Sequence, residues 1–328
     1  MAKSIDQRAR ERSDGRRSYG RRKRLTIALE RNAAGVDDAY LQGLATCFPG
    51  AWNEASFQWY LKRPFRSRHP DTLIARDGER VVAGLGINYR RVRSTDGRVR
   101  DIGVLTAAWT LPKYQGRGCF RRLVEAAAEV APTNGCEALL SFVVARSASA
   151  VRLRRIGAAE VPTRYLFLAP GDALLRPTTL PAVRALQAEG LADLPRADSR
   201  LAFHYDSLEE WTTQFVDRPH PTTMFEVDAG LAVLEHVGAT DRLQFLSAPA
   251  QSETAALVAM ASRAHAAGRH FFFFTTDENL AEHAVEFGLR QTEGAIMILE
   301  LPNGRASGLS AAPPWASSGW HIQPGDRM

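Results

Sequence analysis

Residues 105–124, LTAAWTLPKYQGRGCFRRLV, constrain the fold more than any other stretch of the chain. An apolar run over residues 102–109 reads as a short buried strand. It breaks at Leu111-Pro112, turns through Gln115-Gly116-Arg117-Gly118 and enters a helical pattern at Cys119, where Phe120, Leu123, Val124 and Ala127 recur at helical spacing. Strand, glycine turn and helix start follow one another directly. The first amides of a helix have no partner within it, and the helix dipole places partial positive charge there. Such a start is an anion site suited to a pyrophosphate. Gly116 and Gly118 permit a positive φ and close approach of a ligand to the backbone, and Arg117 offers a charge-assisted hydrogen bond.

Two common phosphate loops are excluded by their own requirements. The P-loop ends in Gly-Lys-Ser/Thr, whereas this turn ends in Gly118-Cys119-Phe120; the dinucleotide fingerprint needs a third glycine where Arg121 stands. The order Pro-Lys-Tyr-Gln-Gly-Arg-Gly instead resembles the coenzyme A loop of the GNAT acetyltransferases, Gln/Arg-x-x-Gly-x-Gly/Ala. Gln115 and Gly118 match it, and Phe120 replaces the small last residue. The resemblance implies that backbone groups of Trp109, Thr110 and Leu111 hold the pantetheine and acyl oxygen of acetyl-CoA where the strand splays. It implies likewise that the amides of Gln115, Gly116, Arg117, Gly118, Cys119 and Phe120 take the pyrophosphate. A helix over residues 147–156, Gly157 and a strand over residues 161–168 resemble the family's next element. There Arg146 stands at the Asn place, Leu153 at the Tyr place and Ala158 at the Phe place. Leu153 cannot protonate a leaving thiolate, so over residues 25–169 the fold resemblance is fuller than the catalytic one.

Acetyl transfer to an amine needs a held thioester, a neutral amine and a donor for the tetrahedral oxyanion. Asp101 begins the splayed strand, where the family often keeps a carboxylate; it reads equally as a solvated strand-end residue. Tyr165, on the strand after the second helix, is the alternative to the missing acid, or a packing ring. His69 lies in the arginine-rich loop RPFRSRHP and reads as exposed. The helix dipole and arginine neighbours would lower the thiol pKa of Cys119, yet no histidine is near it in sequence, so its place suits coenzyme packing. The three cysteines are widely spaced and the histidines scattered, which predicts reduced thiols and no metal site.

The second half restarts the pattern. Trp211 and Arg218-Pro219 echo Trp59 and Arg63-Pro64, and strand, helix, glycine, strand recurs around Phe271 and Gly288 as around Leu139 and Gly157. Residues 247–251, Ser-Ala-Pro-Ala-Gln, lack the glycines of a coenzyme turn, so one coenzyme site is expected, in the first half. The expected fold class is α/β: a GNAT-like mixed central sheet flanked by helices, duplicated in a degenerate second half. The divisions are a disordered basic tail (1–24), the acyl-CoA-binding domain (25–169), a linker (170–200) with a short helix at 181–188, the degenerate domain (201–302), and an extended segment (303–328) that packs Trp315 and Trp320 on the body.

Charge is local. Residues 1–24 hold ten Lys or Arg against three acids, and the remainder holds 32 against 33. The folded body is therefore no basic nucleic-acid binder, and nucleic acid enters only through the tail. No apolar run reaches membrane-spanning length and no apolar signal core opens the chain, so a cytoplasmic location is expected. The resemblance implies an N-acetyltransferase that moves an acetyl or longer acyl group from coenzyme A to an amine of a small molecule or amino sugar, bound between the halves. A coenzyme-binding regulatory module without turnover is the alternative. The oligomeric state is open.

Overall fold

The computed structural model describes residues 27–94, 97–175, 180–187, 191, 201–228, 230–302 and 320–326. The basic tail, most of residues 170–200 and Trp315 lie outside the described residues. The first half comprises β1 (Ile27–Arg31), α1 (Asp37–Cys47), α2 (Glu54–Leu61), β2 (Asp71–Asp77), β3 (Arg80–Arg93), β4 (Val99–Thr110), α3 (Cys119–Val130), β5 (Ala138–Val144), α4 (Ala148–Arg155) and β6 (Ala159–Leu168). After β7 (Val183–Leu186) and β8 (Ala202–Phe203) come α5 (Leu208–Phe215), β9 (Thr222–Val227), β10 (Gly230–Val237), β11 (Thr240–Ser247), α6 (Glu253–Ala266), β12 (His270–Thr275), α7 (Glu278–Glu286) and β13 (Arg290–Glu300). Four helices start where side chains supply caps: Asn53, Ser147, Ser207 and Asp277 each accept from the amide three residues on. α6 is buried along most of its length, because Ala256–Ala261 is an unbroken run of small and apolar residues.

The strands of the described residues form one sheet in the order β1-β2-β3-β4-β5-β13-β6-β12-β11-β10-β9-β7, with β8 against β3. β13 lies antiparallel between β5 and β6, so the last strand of the second half is built into the first, and β6 of the first half is built between β13 and β12. β4 and β5 pair in parallel only from Ile102–Ala138 to Val104–Leu140 and then splay. β11 and β12 pair only from Thr240–His270 to Arg242–Phe272 and splay likewise. Because β6 runs parallel to β5 and antiparallel to β12, the two splays open at opposite ends of the sheet.

One face carries α3, α4, α6 and α7, packed on Leu139, Val143, Leu166 and Phe271 among others. The other carries α1 and α2 over the first half and α5 over the second, with Trp320 and Ile322 against Leu140, Ile296 and Phe274 in the middle. The helix expected at 181–188 does not form over its described residues, 181–187. Residues 183–186 are β7, with Ala185 opposite Phe225 on the exposed edge of β9. A helix that short is not stable alone, whereas the strand edge offers a ready ladder.

Gly294 shows how closely the exchanged strand fits. A Cβ there would stand 2.3 Å from a Tyr165 ring carbon and 2.4 Å from Thr163 Oγ1. Gly294→Val is therefore expected to lower stability by about 1–3 kcal/mol through overpacking. Thermal melting checks it: an unshifted melting temperature would show that β13 does not lie between β5 and β6.

Candidate active site

β4 is bent where it leaves β5. Gly86 pairs with Thr106 and Gly84 with Trp109, so Ala107 and Ala108 together oppose Leu85 in a bulge, and Ala107 takes a φ of 49°. Two contacts hold the bend. Tyr40 donates its hydroxyl to the Ala107 carbonyl at 3.1 Å, and the Trp109 ring fills the space that a Cβ on Gly43 or Gly84 would take. The Leu111 amide donates to the Val82 carbonyl at 3.0 Å. By strand alternation Trp109 also faces β3, while the backbone groups of Ala108 and Thr110 face the splay. The Thr110 carbonyl accepts from Gln115 Nε2 at 3.3 Å, which ties the turn to the strand end.

The turn follows a short 3₁₀ segment whose Tyr114 hydroxyl donates to Asp77 at 2.9 Å; the Arg117 guanidinium lies 5.2 Å from the Tyr114 ring centre. Gly116 and Gly118 have φ of 75° and 82°, and nothing lies within 4 Å of the Cβ either would carry. Gly118 is the N-cap of α3 and no side chain caps that helix, so its first-turn amides keep their capacity for an anion. Phe120, the departure from the small-residue pattern, packs its half-buried ring against the core beside Leu123 rather than over the turn. Cys119 is buried, and burial pushes its thiol up from the ordinary value, the reverse of an activated nucleophile. Leu153 is a core residue of the same cluster.

Asp101 does not join this site. It stands at the paired end of β4, about 20 Å along the strand from the bulge, in an ion pair with Arg68 at 2.9 Å. The carboxylate expected at the splay is instead at the closed end, because the parallel pairing begins at the residue after it. Tyr165 lies in an aromatic cluster with Phe272 and Phe274, two strand spacings from β5 or about 10 Å.

On the α2–α5 face, at the end where β4 and β5 part, the two halves enclose a cavity of about 890 Å³. Its walls include Tyr60 and Phe167 from the first half and Arg218, Arg242, His270, Phe272, Arg290 and Thr292 from the second. Its roof is the contact between α2 and the end of α5. Trp59 Nε1 donates to the Asp217 carbonyl at 2.6 Å, and Arg63 donates to the Thr213 carbonyl at 2.7 Å and to Gln214 Oε1 at 2.9 Å. Arg63 and Arg218 lie over the Trp59 ring at 4.0 and 4.5 Å, and Arg218 donates to the Tyr60 hydroxyl at 3.1 Å. Burial, with Arg90 and Arg218 nearby, lowers Arg63 to about 9. Tyr60 and Arg242 escaped the sequence reading, since only tertiary folding brings them to one cavity.

The splay of the second half is closed by the chain itself. Leu246 follows the β11 bulge at Gln244 as Thr110 follows the β4 bulge. The Gln323 side-chain amide accepts from the Leu246 amide and donates to its carbonyl, both at 2.9 Å. Thr276, just past β12, donates its hydroxyl to the Trp320 carbonyl at 2.6 Å, and Trp320 is buried. The run Trp-His-Ile-Gln in an otherwise Gly, Pro and Ser rich stretch was the available signal.

Residues 38–157 match the acetyltransferase (GNAT) family. Over that stretch the chain is similar to a GNAT acetyltransferase domain. Its structure is similar to a tandem GNAT protein from the clavulanic acid biosynthesis pathway (14% identity, TM-score 0.59, covering 84% of this chain and 98% of that one). It is similar also to a GCN5-related N-acetyltransferase from Kribbella flavida (16%, TM-score 0.55, 90% and 80%) and to a conserved protein from Enterococcus faecalis (10%, TM-score 0.58, 85% and 74%). At these identities the likeness is one of fold, and it extends over both halves. The comparison with curated proteins finds no match. Among the described residues no helix is long and apolar enough to cross a membrane, and no cluster of three or more His, Cys, Asp or Glu could hold a metal ion.

Two substitutions separate the open splay from the closed one. Gly118→Val places a β-branched side chain at a positive φ beside the α3 amides, and the open space around it should let the fold persist. Stabilisation by acetyl-CoA is expected to be lost, as read by thermal shift; retained stabilisation in a folded variant would misplace the loop. Gln323→Ala strips both partners from the buried Leu246 backbone and should cost about 1–3 kcal/mol. Its affinity for acetyl-CoA, measured by titration, should equal the parent's.

Proposed function

We propose that the chain transfers an acetyl or longer acyl group from coenzyme A to the amine of a small molecule in the cavity between its halves. The observation that carries this reading is the uncapped start of α3 at the Gly116–Gly118 turn, directly after a strand bent away from its neighbour. The first-turn amides of α3 and Arg117 hold the pyrophosphate, and the splay-facing backbone of Ala108 and Thr110 holds the pantetheine amides. Coenzyme A supplies the activated thioester. The Ala108 amide donates toward the oxygen of the acyl group as it becomes an oxyanion. Among the described residues the cavity lining holds no Asp or Glu to stabilise an ammonium, which favours the neutral amine that must attack. A strong base is then dispensable, and Asp101 has no part in the reaction. A thiol near pKa 8.5 leaves readily around neutral pH, so the Leu153 position costs a modest factor. Tyr165 is retained as the candidate acid, although its packing accounts for its place as well.

Leu153 is also the specific reason to keep a second reading, a module that binds the coenzyme without turnover. Both readings predict that acetyl-CoA at about 100 times its dissociation constant stabilises the protein by about 2.7 kcal/mol. Only transfer predicts release of free coenzyme A when amines are supplied. An unchanged melting curve at millimolar acetyl-CoA would refute both; stabilisation without thiol release across a broad amine panel would leave the binding module.

A further inference from the structure

Among the described residues the ionisable groups on the cavity walls are Tyr60, Arg218, Arg242, His270 and Arg290, with no Asp or Glu. Two of the arginines are already compensated. Arg218 pairs with the fully buried Glu235 at 3.2 Å, and Arg290 pairs with Asp172 at 3.1 Å. Arg242 is different. It is half-buried, and no carboxylate, carbonyl or side chain among the described residues takes its guanidinium. Its register neighbour on β10 is Glu235, whose Oε2 is held by Arg218 and Gln244 Nε2 and whose buried Oε1 makes no hydrogen bond to the Arg242 guanidinium. A half-buried guanidinium facing a cavity and lacking a partner anion favours a ligand that brings one.

The register shows what else that ligand must offer. Arg290, Phe167, Phe272 and Arg242 are successive cross-strand partners on β13, β6, β12 and β11. They form one transverse row along the cavity floor, cation, ring, ring, cation, with the two ring centres 5.2 Å apart. The row spans three strand spacings, about 14 Å. Its Arg290 end is one strand from β5 and the coenzyme splay; its Arg242 end is the far one. We propose that the acceptor is an elongated amine whose other end is a carboxylate, bound by Arg242, with an apolar body lying over Phe167 and Phe272. A singly charged carboxylate matches the one uncommitted guanidinium, while a phosphate would need cations that Glu235 and Asp172 have taken. The assignment rests on the acyl-transfer reading of this site and adds the substrate class.

The test uses glycylglycylphenylalanine against its C-terminal amide, and 8-aminooctanoate against octylamine, so that each pair differs only in the anion. With acetyl-CoA present, coenzyme A release should show a KM roughly 10- to 100-fold lower for the carboxylate member of a pair. Arg242→Gln should erase the preference and leave the Kd for acetyl-CoA unchanged, and Arg242→Lys should restore part of it. Calorimetric titration of the same pairs without coenzyme reads the pocket alone. Equal or reversed preference in the titration, no binding by any member, or a preference that survives Arg242→Gln would overturn the proposal. Carboxylate-selective binding without thiol release would uphold the pocket and count against acyl transfer instead.

Discussion

β13 is laddered to β5 on one side and β6 on the other, and the rest of the architecture depends on that double pairing. It makes one sheet of two halves. It also fixes β5 along its length on the side away from β4, so that parting of the parallel pair beyond Val104 must be taken up by β4. The Ala107–Ala108 bulge, braced by Tyr40 and Trp109, is where β4 does so. The reciprocal insertion of β6 beside β12 sets the second splay at the opposite end of the sheet. One end thus has an open splay beside a shared cavity, and the other has a splay filled by residues 320–326.

The roof of that cavity is polar. Arg63 and Arg90 converge on Gln214 Oε1, whose amide donates in turn to the Gly325 carbonyl at 2.6 Å. Asp326, bonded to the Tyr205 hydroxyl, and Glu235 are the anions of the cluster. Charges placed so deep are costly to desolvate, and removing one partner costs more than the pair contributes. What the arrangement secures is geometry: α2, α5 and the C-terminal segment meet at one set of directed bonds, and Tyr60 and Arg218 are fixed above the Phe167–Phe272 floor.

The parts legible in the sequence are those written in local chemistry. The glycine turn needs φ values that Gly116 and Gly118 alone among their neighbours adopt freely, and Asn53 caps α2 through its own side chain three residues on. The recurring order of strand, helix, glycine and strand was visible in the spacing around Gly157 and Gly288. The exchange of β6 and β13 was not, because both are apolar, β-rich runs whose choice of partner is decided by pairing more than a hundred residues away. The same limit hid β7, whose residues read as a helix until the edge of β9 is present. Asp101 shows the limit set by register: its place on β4 is legible, but which end of β4 opens depends on where β5 begins to pair.

The double pairing also bears on how the protein comes into being. Val144 meets Gly294 and Ala138 meets Glu300. A growing chain that has just completed β5 therefore presents an unpaired strand edge until roughly 150 further residues have been synthesised. Domains ordinarily fold as units behind the ribosome; here the Gly116–Gly118 turn emerges early but its sheet is finished last. Nascent chains spend that interval with a hydrophobic edge exposed, a state open to chaperones and to pairing with a second copy, and a prematurely terminated product has no route to a closed sheet.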